Sequence, residues 1–96
     1  MKKVTIKNPN EFRDWCKALK PIWALDTETT SLKWLDLEMI GFSICDGKQA
    51  CYVQLDRTNK KRILQTLDYY ISEAKMIIFA NAAFDMMVLK KEGIEI

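Results

Sequence analysis

Two carboxylates, Asp26 and Glu28, stand two positions apart at the end of the apolar run Ile22-Trp23-Ala24-Leu25. On an extended strand that spacing aims both side chains at the same face. Like charges held so close repel one another, and a cation relieves the repulsion. Hard divalent ions such as Mg²⁺ and Mn²⁺ take oxygen ligands and leave their other positions to water and phosphate oxygens. A pair spaced this way also arises simply as two acids at a turn, so phosphate chemistry requires a further acid brought to the same place.

Asn81-Ala82-Ala83-Phe84-Asp85 supplies a candidate, beginning where the continuous apolar stretch Met76 to Ala80 ends. Asn81 is a good helix N-cap. Asp85 then falls in the first turn, where free backbone N–H groups and the helix dipole favour a carboxylate. Helix initiation alone would account for both residues. If the strands ending at Asp26 and Ala80 are parallel, however, both acidic points lie at carboxyl ends of strands, where open α/β sheets bind ligands.

The rest of the composition narrows the chemistry. The chain of 96 residues contains no histidine, and its three cysteines, Cys16, Cys45 and Cys51, form no CxxC pair. A disulfide framework, a thiolate–imidazole zinc site and nucleophilic catalysis built on imidazole are therefore not supported. The hydrophobic fraction of 49% and charged fraction of 29% suit one folded domain spanning 1–96. No apolar run is long enough for a membrane span, and MKKVTIKNPNE lacks the apolar core of a secretory signal, so a cytoplasmic location is expected. Residues 26–56 hold six acids against two bases, flanked by basic segments with six bases against two acids (1–25) and seven against five (57–96). That segregation is compatible with a metal site beside phosphate contacts, and equally with ordinary solvated faces.

The elements that must position these residues follow from periodicity. A strand is expected over Lys3 to Lys7. Asn8-Pro9-Asn10-Glu11 then supplies a cap, a proline and an acid for a helix whose apolar face is Phe12, Trp15, Cys16 and Leu19 and which Pro21 closes. Ile22 to Thr27, Leu37 to Cys45 and Ala50 to Leu55 read as three strands, the last two joined by a tight turn at Asp46-Gly47-Lys48. Arg57 to Ser72 reads as a helix burying Ile63, Leu64, Leu67, Tyr70 and Ile71. Lys60, Lys61 and Arg62 near its start oppose its dipole, which fits either an ordinary solvated surface or contact with phosphate. Met76 to Ala80 is a strand and Ala82 to about Glu92 a helix with Gly93 as its C-cap. The sum is a mixed α/β sheet flanked by helices, in which the Ile22 and Met76 strands are apolar enough to be covered on both faces.

ALDTETTSL together with IFANAAFDMMVLKKEGI resembles the first two motifs of the DEDD superfamily of 3'-5' exonucleases, most of all the proofreading domain of family A DNA polymerases, over residues 20–96. The resemblance implies a ribonuclease H-like fold and two-metal hydrolysis of phosphodiesters at a single-stranded or frayed 3' end of DNA, with RNA as an open alternative. Two Mg²⁺ or Mn²⁺ ions would activate water and stabilise the leaving 3' oxygen. Position by position, it implies that Asp26 bridges the two metals, Glu28 contacts one and orients the attacking water, and Asp85 holds the second through water. Thr29 would meet the terminal nucleotide through its backbone, Leu32 would pack on the terminal bases, and Asn81 would contact the substrate backbone. Lys60, Lys61 and Arg62 would add nonspecific attraction.

This chain departs from the family pattern at Ala80, where a histidine is common, and in having no counterpart of the third motif, which supplies a fourth carboxylate and a tyrosine or histidine. Tyr69 and Tyr70 lie in another element and read as helix packing. The resemblance therefore implies a domain incomplete at its C-terminus, completed by a further segment or a second polypeptide. Met76 to Ala80 would be an exposed apolar edge, open to pairing between copies. A non-catalytic nucleic-acid-binding or assembly fragment, and an endonuclease of the ribonuclease H-like class, are the alternatives.

Overall fold

A computed structural model describes residues 1–31, 33 and 35–96. The elements run β1 (Lys2–Ile6), α1 (Pro9–Cys16), β2 (Ile22–Thr29), β3 (Met39–Cys45), β4 (Gln49–Gln54), α2 (Lys60–Glu73), β5 (Met76–Phe79) and α3 (Ala82–Lys91). The five strands form one sheet in the order β1-β4-β3-β2-β5. β2, β3 and β4 are an antiparallel meander, and β1 and β5 join its two sides in parallel. The expected mixed α/β sheet is thus present, with β2 and β5 parallel as the site requires.

Alternation decides the core. Trp23 and Leu25 of β2, Phe42 and Ile44 of β3, and Cys51 and Val53 of β4 point to one face and are buried. They form a single cluster with Phe12 and Cys16 of α1, Ile63, Leu64, Leu67 and Ile71 of α2, and Val88 and Leu89 of α3. Phe12 meets Phe42 edge-on, the ring centres 5.5 Å apart, the geometry favoured by ring quadrupoles.

The opposite face is where the expectation of cover on both sides fails. Ile22, Met76 and Ile78 are exposed there, the last two by 55% and 53%. The buried apolar residues of all three helices belong to the one cluster on the other side. Strand runs as apolar as these normally signal double cover, and here half of that apolar surface meets solvent. β5 is also the outer strand of its side of the sheet.

Local chemistry explains where boundaries move. α1 ends at Cys16 rather than continuing to Pro21, because Lys17, Ala18 and Leu19 donate to Asp14, Trp15 and Cys16, an i to i−3 pattern that tightens the last turn. α2 starts at Lys60 because the Asp56 carboxylate accepts from the Thr58 and Asn59 N–H groups and the Thr58 hydroxyl, which fixes a turn over 56–59. Buried Asn59 then stitches strand ends together: its amide donates to Lys7 O at 2.8 Å and Gln54 O at 2.9 Å and accepts from Asp56 N. In the β3–β4 turn, Asp46 accepts from the N–H groups of Lys20, Lys48 and Gln49. Partial burial pushes its carboxyl up, and these bonds outweigh that and hold it below the ordinary range.

α3 ends as expected. Gly93, at φ 92°, occupies the left-handed position, its N–H reaching Lys90 O and that of buried Ile94 reaching Leu89 O, the paired bonds of a Schellman cap.

Candidate active site

β2 runs past the end of β5. Pairing with β5 stops at Leu25 and Phe79, whereas pairing with β3 continues to Thr29, with a bulge between Glu28 and Thr29. The β5 side of β2 is therefore open from Asp26 onward, and α3 begins beside that opening. This offset creates the site.

Asp26 and Glu28 lie on the uncovered face, both exposed. Their neighbours across the sheet are Ser43 and Gly41. Neither carboxylate has a hydrogen-bond or ion-pair partner among the described residues. Beside Asp26 a depression of about 220 Å³, lined by Ala24, Ser43, Cys45, Ile78 and Ala80 among others, gives the pair an apolar shoulder.

Thr27, between them, points the other way. Its N–H faces the β2 edge that β5 no longer covers, and Asp85 takes the place of the missing strand. Asp85 Oδ1 accepts from Thr27 N at 3.2 Å and from the Thr27 hydroxyl at 2.6 Å, and Oδ2 accepts from Asn81 N at 3.1 Å. Asp85 is 1% exposed. Asn81 reciprocates by capping α3 through its side-chain oxygen, which accepts from Phe84 N at 3.3 Å. Three donors thus satisfy a carboxylate that is buried away from water.

The structure therefore brings Asp26 and Glu28 together on one face and holds Asp85 at the strand edge between them. It does not converge all three: among the described residues no group of three or more His, Cys, Asp or Glu is placed to hold a metal ion. As donors, unpartnered Asp26 and Glu28 fit a hard divalent cation. Asp85, already accepting on both oxygens, fits a contact through water better than direct ligation. Asn81 sits at the mouth of the site, exposed. Thr29 ends β2 with its hydroxyl donating to Ser31 O at 2.9 Å. Leu32 lies outside the described residues.

The surplus of hydroxyls in the motif acquires structural roles that spacing alone did not reveal. Thr27 holds Asp85. Thr30 and Glu38 exchange N–H donations, to Glu38 O at 3.0 Å and to Thr30 Oγ1 at 3.2 Å, pinning the two ends of the 30–38 loop. Ser31 Oγ accepts from Lys33 N at 3.0 Å. Alternation placed Thr27 on the inner face, and a threonine among Trp23 and Leu25 was the available sign that a polar partner must come from elsewhere.

Most of the basic cluster is not offered to phosphate. Lys60 Nζ contacts Glu92 at 2.9 Å and Glu38 at 3.2 Å, and Glu92 also accepts from Met39 N. Arg62 donates to Asn10 at 2.8 Å. Lys60 and Arg62 are thus held by acids and an amide of other elements, whereas exposed Lys61 has no partner among the described residues. Tyr69 and Tyr70 meet edge-on in α2; Tyr70 packs against the core as expected, whereas Tyr69 is largely exposed.

The family model described as 3'-5' exonuclease matches residues 3–96. This chain belongs to that family. Its fold is shared by solved nucleases at 20% identity: one described as the apo form of the nuclease, with a TM-score of 0.63, and two structures of NrnC of Brucella melitensis, the second described as having bound Mg²⁺, with TM-scores of 0.51 and 0.52. Each match covers 92% of this chain and 40 or 41% of the other. The chain thus spans about two fifths of the length of the nucleases it matches. No curated protein matches it in sequence. Among the described residues, no helix is long and apolar enough to cross a membrane.

Proposed function

We propose that the chain forms the metal-binding half of a 3'-5' exonuclease site that hydrolyses phosphodiesters at a single-stranded or frayed 3' end of DNA. The observation that carries the reading is the pair of unpartnered carboxylates, Asp26 and Glu28, on the open face where β2 outruns β5. Asp26 and Glu28 would hold Mg²⁺ or Mn²⁺. Asp85, fixed by Thr27 and Asn81, would add its charge at the strand edge and engage a second ion through water. Divalent ions held by Asp26 and Glu28 would supply Lewis acidity toward a phosphate oxygen and toward a water at neutral pH. The protein's part is to keep the two acids aligned, to orient the water through Glu28, and to receive the terminal nucleotide along the Thr29 backbone, Leu32 and Asn81. Apolar and stacking contacts suit an unpaired end, which has no groove to read.

A second reading follows from the incomplete convergence of the acids and the two-fifths coverage of related nucleases. The chain would bind nucleic acid and become hydrolytic only when further polypeptide, in the same or a second chain, packs on β5 and supplies the remaining groups.

Incubation with a labelled DNA strand and Mg²⁺ or Mn²⁺ tests both. Metal-dependent shortening from the 3' end that is lost in Asp26→Ala supports the exonuclease, and shortening that persists in that variant removes Asp26 from the mechanism. Binding without shortening favours the second reading. Cleavage of a circular strand would instead indicate an endonuclease.

A further inference from the structure

Glu28 has a neighbour that its motif does not announce. Asp26, Ser43 and Tyr52 lie side by side across β2, β3 and β4, and in the next row on the same face lie Glu28, Gly41 and Gln54. Tyr52 is therefore one diagonal step from Gly41, and Gly41 pairs directly with Glu28 on the next strand. Its ring leans along that diagonal. A Cβ at Gly41 would collide with the Tyr52 hydroxyl and lie 2.7 Å from its Cζ, as well as 2.9 Å from Val53 O. Gly41 is not required by its backbone, since the positive-φ glycines are Gly47 and Gly93. Its lack of a side chain leaves the space that the tyrosine fills.

We propose that Tyr52 is a positioning residue for Glu28, its hydroxyl donating across Gly41, through one ordered water, to the Glu28 carboxylate. The hydroxyl has no protein partner among the described residues, and neither has Glu28, so a free donor faces a free acceptor over a gap with no intervening side chain. A bridging water is enthalpically close to a direct bond. Burial raises the Tyr52 phenol above its ordinary value, and the nearby Glu28 charge raises it further, as expected for a hydroxyl kept in its donating form beside an anion. A carboxylate tethered in this way presents one oxygen to the ligand while the other is held, which is how outer partners orient metal ligands.

The inference rests on the hydrolytic reading of Glu28, and the test separates the two. In Tyr52→Phe the ring and its packing remain and only the donor is lost. The expected results at fixed pH are a displaced Glu28 side-chain carboxyl ¹³C resonance, an Asp26 resonance that stays near its place, and Mn²⁺ affinity weakened about tenfold with the unfolding midpoint unchanged. Gly41→Ala, which drives the hydroxyl away, should move the same resonance. An unmoved Glu28 resonance in Tyr52→Phe overturns the proposal, as does a displaced resonance with unaltered Mn²⁺ affinity. If the Glu28 resonance moves but wild-type protein binds no Mn²⁺, the contact stands and the metal reading of the acid pair falls.

Discussion

The Thr27 hydroxyl donates to the Asp85 carboxylate at 2.6 Å across 58 positions of sequence. One bond thereby joins the two motifs from which the site is built. Thr27→Val keeps the shape and removes the donor, leaving a buried carboxylate short of one partner. A stability loss of about 1–3 kcal/mol is expected, with Thr27→Ser restoring most of it. Urea unfolding of the three proteins checks this, and equal stability of the valine variant would mean that the hydroxyl contributes nothing.

Asp26 and Glu28 should behave in the opposite way. Neither has a direct protein partner among the described residues, so Asp26→Asn or Glu28→Gln should stay within about 0.5 kcal/mol of wild type. Each should nevertheless abolish most of the heat of Mn²⁺ binding in a calorimeter. A large fall in stability would show that these acids help hold the fold rather than await a cation.

This contrast shows what could be read from the chain before its fold was known. The acid pair was legible because alternation along a strand needs only two residues and one period. So was the placement of Asn81 and Asp85 at a helix start, since capping is local. The inward turn of Asp85 was not, because it depends on β2 outrunning β5, a difference in strand length that appears only when the strands are paired. The same holds for Lys60, whose acids lie 22 and 32 positions away in the loop before β3 and at the end of α3. The bare outer face of β5 was misjudged because an apolar run reports what a strand could bury, and its cover depends on what else is present.

Lys60 should be a structural cation. Lys60→Met removes the charge between Glu38 and Glu92 and leaves the half-buried Glu92 with only Met39 N. A loss of about 1–3 kcal/mol is expected, measured by thermal unfolding, while Lys61→Ala should be nearly silent. If instead nucleic-acid affinity falls with Lys60→Met at unchanged stability, phosphate contact is its main task.

The buried thiols predict the alkaline limit. Burial pushes Cys16 up to about 12, with a smaller contribution from nearby Cys51, and pushes Cys51 itself up to about 12. Unfolded thiols titrate near 9.0, so the folded chain keeps protons that the unfolded chain releases. The stability from this source is complete below pH 9 and is lost as the pH rises toward 12. Unfolding midpoints should drop across that window, and less steeply in Cys51→Ala relative to its own value at pH 8. In native protein, Cys45 should react first with a thiol reagent.

The exposed outer face of β5 should be sticky. Ile78→Lys replaces an exposed apolar side chain with a charge at the edge of the sheet, the device by which natural edges resist pairing. Sedimentation at rising concentration should show less self-association in the variant, with the circular dichroism spectrum unchanged. Equal sedimentation of both proteins at every concentration would mean that β5 does not mediate contact between copies.

The amide of Asn59 carries a consequence for the order in which the chain folds. β1 lies parallel to β4, pairing Val4 with Cys51, so β1 has no neighbour in this sheet until β4 has been made. Closing so long a loop costs entropy before any ladder bond returns it. The link from Asn59 to the carbonyls at the ends of both strands comes from a residue synthesised later still. The amino-terminal strand should therefore gain hydrogen-exchange protection last, after the meander of β2 to β4, and Asn59→Ala should delay it further without slowing the meander.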